Sequence, residues 1–485
     1  MKLNYKNVIF VGFAFFLISM FWQVYDTVIA KILIDSFGLS QTWSGVVLAL
    51  DNIIAVILLP VFGKLSDDTN TKWGKRTPYI VIGTILAVAF VVVIGLIDKA
   101  QLGIIQANNI GAIEQISENE FLYNGVIYPT KEFAVAERTA AVKLVRQQNS
   151  LTFIAFIGVL FFVLLAMASF RTPAVSLMPD VTVKPLRSKA NAVINLMGSA
   201  GGIIALGFLA FLANDYQSYI LVFIVLAILM IVALGVFLFT VNERKLVAEM
   251  HKEAVEYGIE TMEDIQKEEA NIKEKMPKDV FKSFILILAS IVFWFMGYNA
   301  ATSKFSVYAS NVLNTGYSIP LLVAQGAAIV SYLPIGMLAS KLGRKKTILV
   351  GISELFLAFI LATFTTSQTA FLMYAVMALA GIGWATINVN SYPMVVEMAK
   401  GSDIGKYTGF YYTASMSAQI LTPVLSGILM DNLSWGMHVL FPYCAFFCAL
   451  AFTTMCFVKH GDSKAIPTQK SSQEIFEETI NALDD

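Results

Sequence analysis

Charged residues are scarce in this chain of 485 residues, of which only 14% are Asp, Glu, Lys or Arg. Soluble globular proteins carry about 25%, which argues against a water-soluble enzyme. The chain has three cysteines and three histidines, and neither set has the spacing of a metal site or a disulfide framework. A phosphate-binding loop, a Ser-His-Asp set and a basic stripe are also missing. These absences argue against ATP-driven chemistry, hydrolysis and nucleic-acid binding.

Hydrophobic residues make up 57% of the chain and fall into twelve long blocks with almost no charge. Blocks of about 18 to 28 residues can cross a hydrocarbon core roughly 30 Å thick as α-helices. The first block is too long for a signal peptide, so we interpret it as a permanent span. The sequence therefore predicts an all-α polytopic membrane protein. The predicted transmembrane helices are residues 8–30, 43–62, 78–97, 151–178, 192–213, 219–241, 283–301, 319–339, 347–366, 370–396, 410–430 and 439–458.

The distribution of positive charge predicts the orientation of these helices. With both termini in the cytoplasm, 26 of the 34 Lys and Arg residues lie inside, and seven lie outside, as the positive-inside rule requires. Two long loops interrupt the pattern. The predicted organisation is a six-helix bundle at 1–241 with an extracytoplasmic insertion at 98–150, a cytoplasmic linker at 242–282, a second bundle at 283–458 and a cytoplasmic tail at 459–485.

The two predicted bundles repeat each other weakly in sequence. Gly74 aligns with Gly343 at an offset of 269 residues, whereas Asp180 aligns with Glu397 at an offset of 217. The difference is close to the length of 98–150, which marks that segment as an insertion in the first half. The repeat predicts two bundles related by an axis along the membrane normal, with a substrate site between them near the midplane.

Loops that combine glycine and charge follow the second span of each bundle. Asp67 can lie near a helix N-terminus or pair with Arg76, and either contact would latch the cytoplasmic face in one state. The alternative is that these charges only set the topology. The predicted cytoplasmic gating residues are Gly63, Asp67, Asp68, Gly74, Lys75, Arg76, Gly343 and Arg344.

The stretch Gly63–Ile80, GKLSDDTNTKWGKRTPYI, resembles the signature of the major facilitator superfamily in its longer form. Within it, the run Asp67–Lys75 resembles the glycoside-pentoside-hexuronide cation symporters and the sucrose-type proton symporters. A second stretch, Gly381–Pro393, is similar to the sucrose-type group. The resemblance implies the twelve-helix fold of that superfamily and transport of a sugar together with a cation.

One departure from these families bears on the cation. In the sodium-using melibiose-type branch, span two carries two aspartates at the positions of Leu59 and Ala55 in this chain. Asp51, one turn further from the motif, is the only acid in this span. The resemblance therefore implies a co-transported proton in preference to sodium. Separately, we expect no resident cofactor or metal.

Ionisable side chains inside a span are costly and mark functional sites by default. At a rise of about 1.5 Å per residue, Asp51 lies about 18 Å and Arg171 about 13 Å from the cytoplasmic boundary, so we expect them to interact directly or through water. Protonation of Asp51 would then release Arg171 and couple a proton gradient to transport. The alternative is a permanent ion pair. Asp26, nearer the outside, is the rival proton site, and Glu354 is interpreted as structural.

Aromatic planes beside amide groups are what a saccharide pocket requires. Spans one and seven both offer them, with Trp22 and Trp294 at matching depth. In span ten, Asn388 corresponds to Arg171 at the offset of 217, so both would face the central cavity. The alternative is that the aromatic residues anchor helices at the interface or pack between them. The predicted substrate-binding residues are Trp22, Gln23, Tyr25, Trp294, Tyr298, Asn299, Trp384 and Asn388.

The sequence thus predicts a secondary transporter of the cell membrane that imports a glycoside or oligosaccharide with a proton by alternating access. Its expected partners are a small-molecule saccharide and the lipid bilayer, and we expect a monomer that is not an enzyme and binds no nucleic acid. Two alternatives stay open. One is an exporter of drugs or lipid-like amphiphiles, and the other is a non-transporting sensor on the same fold.

Overall fold

A computed structural model describes residues 2–39, 41–117, 120–129, 131–212, 216–261, 265–266, 276–313, 315, 318–399, 403–432 and 436–462. Within these ranges, twelve helices are long and apolar enough to cross a membrane. Each overlaps one predicted span, so the polytopic fold with twelve transmembrane helices is confirmed. The helices are α1 (Tyr5–Asp35), α2 (Gln41–Asp67), α3 (Thr77–Ala107), α4 (Lys131–Gln148), α5 (Ser150–Asp180), α6 (Arg187–Leu212), α7 (Ile220–Thr240), α8 (Glu243–Glu256), α9 (Lys278–Asn311), α10 (Ser318–Leu342), α11 (Arg344–Thr363), α12 (Leu372–Glu397), α13 (Ile404–Asn432) and α14 (Leu440–Cys456), of which α4 and α8 do not span.

Small residues bring the helices of each half close together. In the first half (α1–α7), α1 packs against α6, and a Cβ on Gly201 would lie 2.5 Å from the carbonyl oxygen of Phe16. In the second half (α9–α14), α10 and α12 meet at Gly381, whose Cβ would overlap the carbonyl oxygen of Ala324. Lipid tails are as apolar as the helices, so close backbone packing of this kind is what drives helix association in a membrane.

The two halves meet through α2 with α13 and through α6 with α10. The two halves approach each other most closely at one end of the bundle. This end carries the loop 68–76 and Gly343, and we call it the motif end. Helix α1 begins and α14 ends at the motif end. A Cβ on Gly63 would overlap the carbonyl oxygen of Gly405, and one on Gly336 would lie 2.8 Å from the Cβ of Ala192. The halves are therefore in direct contact at the motif end.

The predicted insertion forms a small folded module at the opposite end. The first ten residues of the predicted insertion, 98–107, belong to α3. The chain therefore leaves the bundle after Ala107, later than predicted. Three antiparallel strands follow, β1 (Glu114–Ser117), β2 (Glu120–Tyr123) and β3 (Val126–Tyr128), and then α4. Buried apolar residues of α3, β2 and α4 pack together beneath the sheet. The segment therefore has a core of its own.

Two contacts fasten this module to the first half. The Arg138 guanidinium on α4 donates to the carbonyl oxygen of Asp35 at 2.8 Å, where α1 ends. Gly38 just beyond has a φ of +60°, and a Cβ there would lie 2.6 Å from the backbone nitrogen of Lys143. Only glycine combines that left-handed conformation with such a close approach. The module is thereby held over the turn between α1 and α2.

The predicted linker at 242–282 contains α8, which lies under the motif end of the first half. Met250 and Ala254 of α8 are buried against Val183 and Leu186 in the turn after α5. The linker is therefore docked onto the first half through α8. The predicted tail, apart from 459–462, lies outside the described residues.

Candidate transport site and gate

Asp51 and Arg171 face one small cavity inside the first half. Trp22 of α1 lines the same cavity, and Ala55 and Leu59 lie on its walls. Asp51 and Arg171 are electrostatic neighbours, and Asn52 donates a hydrogen bond of 2.9 Å to Asp51. The three side chains come from α1, α2 and α5, so the packing of these helices decides how far the acid and the base lie apart.

Arg171 is held between aromatic rings of both halves. Its guanidinium carbon lies 5.3 Å from the ring centroid of Trp22 and 4.8 Å from that of Tyr412 on α13. These distances are those of cation–π contacts. The Nε of Arg171 is buried and has no hydrogen-bond partner among the described residues. The positive charge of Arg171, on the first half, therefore contacts Tyr412 of the second half, and the Nε–H donor of Arg171 is unused.

Asp26 and Tyr25 border this group on α1 in different environments. Asp26 is an electrostatic neighbour of both Asp51 and Arg171, and its side chain is exposed. Tyr25 is buried, with its ring 5.1 Å from that of Trp22. Two carboxyl groups and one guanidinium thus share a region in which Asp26 is the more accessible acid.

A stacked aromatic pair lies in the second half. The rings of Tyr298 on α9 and Trp384 on α12 are parallel within 7° and 3.9 Å apart, and Phe295 meets Trp384 edge-on at 5.0 Å. Asn299 next to Tyr298 has a buried side-chain nitrogen without a hydrogen-bond partner in the described part of the chain. Flat rings can pack against a sugar ring, and an unused amide donor can bind its hydroxyl groups.

Asn388 lies where α6 and α12 of the two halves meet. Its side-chain nitrogen donates to the side-chain oxygen of Asn195 at 3.4 Å, and its backbone carbonyl oxygen accepts from the side-chain nitrogen of Asn191 at 3.1 Å. Tyr332 on α10 adjoins both Asn388 and Tyr298. Tyr332 was missed in the sequence because a single tyrosine in an apolar span has no pattern that indicates its partners.

Two predicted substrate residues line neither the Asp51 cavity nor the stacked aromatic pair. Trp294 is fully buried within the second half, so its side chain offers no surface to a ligand in this conformation. Trp22 and Trp294 lie at matching depth but have different surroundings, because their two helices turn different sides towards neighbouring helices. Gln23 faces a separate crevice that it shares with Asn195 and Tyr332, although it lies next to Trp22 in sequence.

Asp67 latches the halves together at the motif end. Its carboxylate accepts from the backbone nitrogens of Gly405 and Lys406, both at 2.8 Å, in the first turn of α13. Arg76 donates to the same carboxylate at 2.6 Å. The N-terminus of a helix carries partial positive charge and free N–H groups, which favour an anion there. Of the two adjacent acids in the motif, Asp67 is the one in the latch, whereas Asp68 is exposed.

Arg76 is the buried centre of a network within the first half. Besides Asp67, it donates to Asp180 at 2.7 Å and to the hydroxyl of Ser66 at 2.5 Å. Burial lowers the pKa of Arg76, but Asp180 and Asp67 outweigh it and the net pKa is raised. Arg76 is therefore charged in the folded protein. It ties the ends of α2 and α5 to the start of α3.

Glu243, at the start of α8, caps the N-terminus of α3. Its carboxylate accepts from the backbone nitrogens of Lys75 at 2.6 Å, Arg76 at 2.9 Å and Thr77 at 2.8 Å. Gly74 has a φ of +111°, and a Cβ there would overlap the Glu243 carboxylate. The glycine is thus required by the close approach of the acid. Lys75 contributes its backbone nitrogen, and its side chain is partly exposed.

The second half has a similar network around Arg344, although its glycine and arginine are adjacent in sequence. Arg344 is buried and pairs with Glu397 at 2.9 Å, as Arg76 pairs with Asp180. Asp462 accepts from the backbone nitrogen of Arg344 at 2.5 Å and lies against Gly343, whose φ is +93°. Arg344 also reaches across to the first half, where it donates to Ser188 at 3.1 Å.

Glu243 and Asp462 were not predicted from the sequence. Each follows the last span of its half by a few residues, and this shared position is the signal that could have found them. The residue-by-residue alignment on Gly74 and Gly343 paired Arg76 with Lys345, whereas the contacts pair it with Arg344. The loop of the first half is one residue longer between its glycine and its arginine.

Sequence profiles identify the family. The profile described as Major Facilitator Superfamily matches residues 133–333 and 315–482, and the profile described as MFS/sugar transport protein matches residues 10–96. The chain belongs to the Major Facilitator Superfamily. It is accordingly a multi-pass membrane transporter, as the motif of the second loop indicated. The finer assignment to the glycoside-pentoside-hexuronide or sucrose-type branch stays a prediction.

Curated relatives match short stretches of this transporter. The chloramphenicol resistance protein CraA of Acinetobacter baumannii is 34% identical over 110 residues, which cover 23% of this chain and 26% of the relative. A lactose permease of Lactobacillus helveticus is 36% identical over 56 residues, or 11% of this chain and 9% of the permease. The chain thus spans about a quarter or less of the curated relatives it matches.

Solved structures of the same fold match over nearly the whole chain. The MFS transporter FucP in its outward conformation is 10% identical, with a TM-score of 0.64 over 93% of this chain and 98% of FucP. The proton:xylose symporter XylE is 12% identical, with a TM-score of 0.61 over 96% and 98%. An outward-facing bacterial homologue of the iron transporter ferroportin is 12% identical, with a TM-score of 0.62 over 94% and 99%. At these identities the likeness establishes the fold alone.

Proposed function

We propose that this transporter lies in the cytoplasmic membrane with its motif end in the cytoplasm and imports a glycoside or oligosaccharide together with a proton. The observation that carries the proposal is the placement of Arg171 between Asp51 of the first half and Tyr412 of the second. A proton that binds Asp51 changes the charge facing Arg171, and Arg171 touches the half that must move. Protonation of Asp51 and movement of the second half are thereby coupled through the side chain of Arg171.

The proposed cycle begins from the conformation described above, with the motif end closed. A proton reaches Asp51 through the accessible Asp26 or directly and neutralises the acid that shares the cavity of Arg171, and the unused Nε of Arg171 donates to a saccharide hydroxyl. The loaded protein then closes at the opposite end and opens at the motif end, where the Asp67 latch breaks. Coupling requires that the empty and the doubly loaded forms interconvert more readily than the singly loaded forms.

A saccharide is the favoured substrate because of the side chains around the contact between the halves. The stacked Tyr298 and Trp384 offer ring faces and edges, and Asn299 and Asn388 offer amide groups. The match of residues 10–96 to a sugar-transport profile and the stretch shared with a lactose permease support the same class. An apolar drug would leave the buried amide nitrogen of Asn299 unpaired, which is costly in a desolvated site.

Proteoliposomes that contain a pH-sensitive dye test the proposal. Mono-, di- and oligosaccharides are added outside in sodium-free buffer and the lumen pH is recorded; acidification with one saccharide class is the expected result. Asp51→Asn should abolish the acidification while it preserves exchange of labelled saccharide across the membrane. Glu354→Gln, which changes an acid of α11 outside the Asp51 cavity, is the matched control. Full gradient-driven uptake by Asp51→Asn would overturn the coupling role.

Export of a drug-like amphiphile is a second candidate, favoured by the stretch shared with the chloramphenicol resistance protein. Under this hypothesis the same cluster would exchange a proton for an outgoing amphiphile. Cells that express the protein would then accumulate less chloramphenicol, and no saccharide would acidify the proteoliposomes. Saccharide-driven acidification without any change in chloramphenicol accumulation would exclude this candidate.

A further inference from the structure

A crevice of about 370 Å³ lies between α1, α6 and α10, at the boundary between the halves and apart from the cavity of Asp51 and Arg171. Its volume falls within the range of small-molecule sites, about 300 to 1,000 Å³. The wall combines ring faces with amide and hydroxyl groups. The side chains that give it this character are Phe15, Ser19, Gln23, Asn195, Gln325 and Tyr332.

Glycines of α6 form the crevice. A Cβ on Gly198 would lie 2.8 Å from both the Phe15 ring and the Ser19 hydroxyl, so α1 and α6 touch there. One turn further along, Gly202 borders the crevice, and a Cβ there would lie 3.8 Å from Oε1 of Gln23. Gly198 sets the spacing between α1 and α6, and Gly202 has no side chain. Together the two glycines leave open space in front of Gln23.

Two of the three amides of this wall, Gln23 and Gln325, are available to a ligand. Gln23 makes one long contact, of 3.5 Å, with the hydroxyl of Thr27, and Gln325 is exposed. Asn195 uses its nitrogen on the carbonyl oxygen of Asn191 at 2.9 Å, and its oxygen accepts from Asn388. Amides that lack strong partners beside aromatic rings can exchange hydrogen bonds with hydroxyl groups at little cost.

The crevice adjoins the stacked aromatic pair through two residues. Tyr332 lines the crevice and is a neighbour of both Tyr298 and Asn388. Asn195 lines it too and is bonded to Asn388. Tyr332 and the bonded pair Asn195 and Asn388 therefore form a polar wall between the stacked aromatic pair and the space in front of Gln23.

We propose that this crevice is a second saccharide subsite, which holds the outer ring of a disaccharide or longer glycoside whose first ring lies against Tyr298 and Trp384. The proposal rests on the proposed function and specifies its substrate as a chain of at least two sugar rings. Gln23 and Gln325 bind hydroxyl groups of the outer ring, and Phe15 contacts its apolar face. A monosaccharide does not reach these side chains.

Uptake of a disaccharide and of its constituent monosaccharides tests the subsite, with lactose, sucrose and melibiose as probes. Gln23→Ala and Gln325→Ala should each raise the KM for the preferred disaccharide about 3- to 10-fold, the effect of one lost hydrogen bond. Neither should alter the KM for the monosaccharide, measured as a substrate or as a competitor. Gly202→Leu, which fills the crevice, should abolish disaccharide uptake and spare the monosaccharide.

Two control variants distinguish a blocked subsite from a damaged fold. Gly202→Ala adds only a methyl group at ordinary contact distance, and Gly207→Leu, on the same helix, meets nothing within 4 Å; both should leave disaccharide uptake unchanged. An unchanged ratio of disaccharide to monosaccharide KM in the Gln23, Gln325 and Gly202→Leu variants, or uptake of monosaccharides alone by the unmodified protein, overturns the subsite and leaves the proposed function standing. Failure to transport any saccharide overturns both.

Discussion

The carboxylate of Asp67 accepts a hydrogen bond of 2.8 Å from the backbone nitrogen of Gly405, so the last residue of α2 binds the first turn of α13 across the boundary between the halves. This bond has to break each time the motif end opens. Asp67 is 3% exposed, and its charge is balanced by the helix terminus and by Arg76. The contact therefore stabilises the closed state, and because it joins only the ends of α2 and α13, a small separation of these helices breaks it.

Asp67→Asn should shift the transporter toward the state in which the motif end is open. The substitution keeps one acceptor oxygen and removes the negative charge at a helix N-terminus, worth up to about 2 kcal/mol in buried geometry, or roughly 30-fold in the closed-to-open ratio. Pulsed electron paramagnetic resonance between spin labels at the exposed Lys64 and Lys341 measures that separation. Asp68→Asn is the control, and an identical distance distribution in both variants would contradict the role of the latch.

Gly63→Ala should prevent the motif end from closing. A Cβ at this position would overlap the carbonyl oxygen of Gly405, which is backbone and cannot rotate away. The same label pair at Lys64 and Lys341 should report a longer mean distance, and uptake should fall at least tenfold. Gly103→Ala, where a Cβ meets nothing within 4 Å, serves as the control, because both substitutions raise helix propensity equally. Normal uptake by Gly63→Ala would count against close contact of the halves during the cycle.

Glu243→Gln should lower the thermal stability of the transporter. An amide has one acceptor oxygen where the carboxylate has two, and its NH2 group would face the backbone N–H donors of α3. Loss of charge-assisted hydrogen bonds at this cap should cost about 2 to 3 kcal/mol, which lowers the melting temperature by several degrees. Glu249→Gln, in a surface pair of 3.9 Å with Lys245, should be almost neutral. Scanning fluorimetry in detergent compares the two, and equal melting temperatures would exclude a capping role for Glu243.

Docking of the linker after α8 should weaken in acid. Burial raises the pKa of Glu260, but the hydrogen bond from His251 and the positive charge of Lys184 outweigh it and lower the pKa from 4.5 to about 2. A lowered carboxyl pKa stabilises the docked state above pH 4.5, and this stabilisation is lost as the pH falls from 4.5 to about 2. Spin labels at Lys64 and Lys252 should give a broader distance distribution across that interval.

Glu260→Gln should remove this part of the pH dependence. At pH 7 the variant should already show a broader distribution of the distance between Lys64 and Lys252, because Lys184 has lost its partner at 3.3 Å. Glu256→Gln changes an exposed acid four residues earlier and should behave as the unmodified protein does. The interpretation is wrong if Glu260→Gln retains the narrow distribution at pH 7 and broadens at the same pH as the unmodified chain.

The twelve spans and the depth of their ionisable residues could be predicted from the sequence, because both depend on local properties. A helix rises by a fixed distance per residue, so the position of Asp51 relative to Gly63 determines its depth once α2 is helical. Arg171 was placed at a similar depth in the same way, and the two side chains do line one cavity. The position of the motif loops after the second span of each half likewise follows from chain order alone.

Rotation of each helix about its own axis was decided only by tertiary packing. Depth does not determine which neighbour a side chain faces, and for this reason Trp294 is buried within the second half and Gln23 faces the crevice instead of the cavity that Trp22 lines. The helix packing follows from glycines such as Gly63 and Gly198, whose partners Gly405 and Phe15 lie far away in sequence.

The sequence by itself therefore determined which segments cross the membrane, how deep their charges lie and to which family the motif belongs. Tertiary structure decided which of two adjacent acids forms the latch, that Glu243 and Asp462 cap α3 and α11, and that Arg171 meets Tyr412. The physical reason is that hydrophobic length and helical rise are properties of contiguous residues. A hydrogen bond across the boundary between the halves depends instead on the packing of helices separated by hundreds of residues.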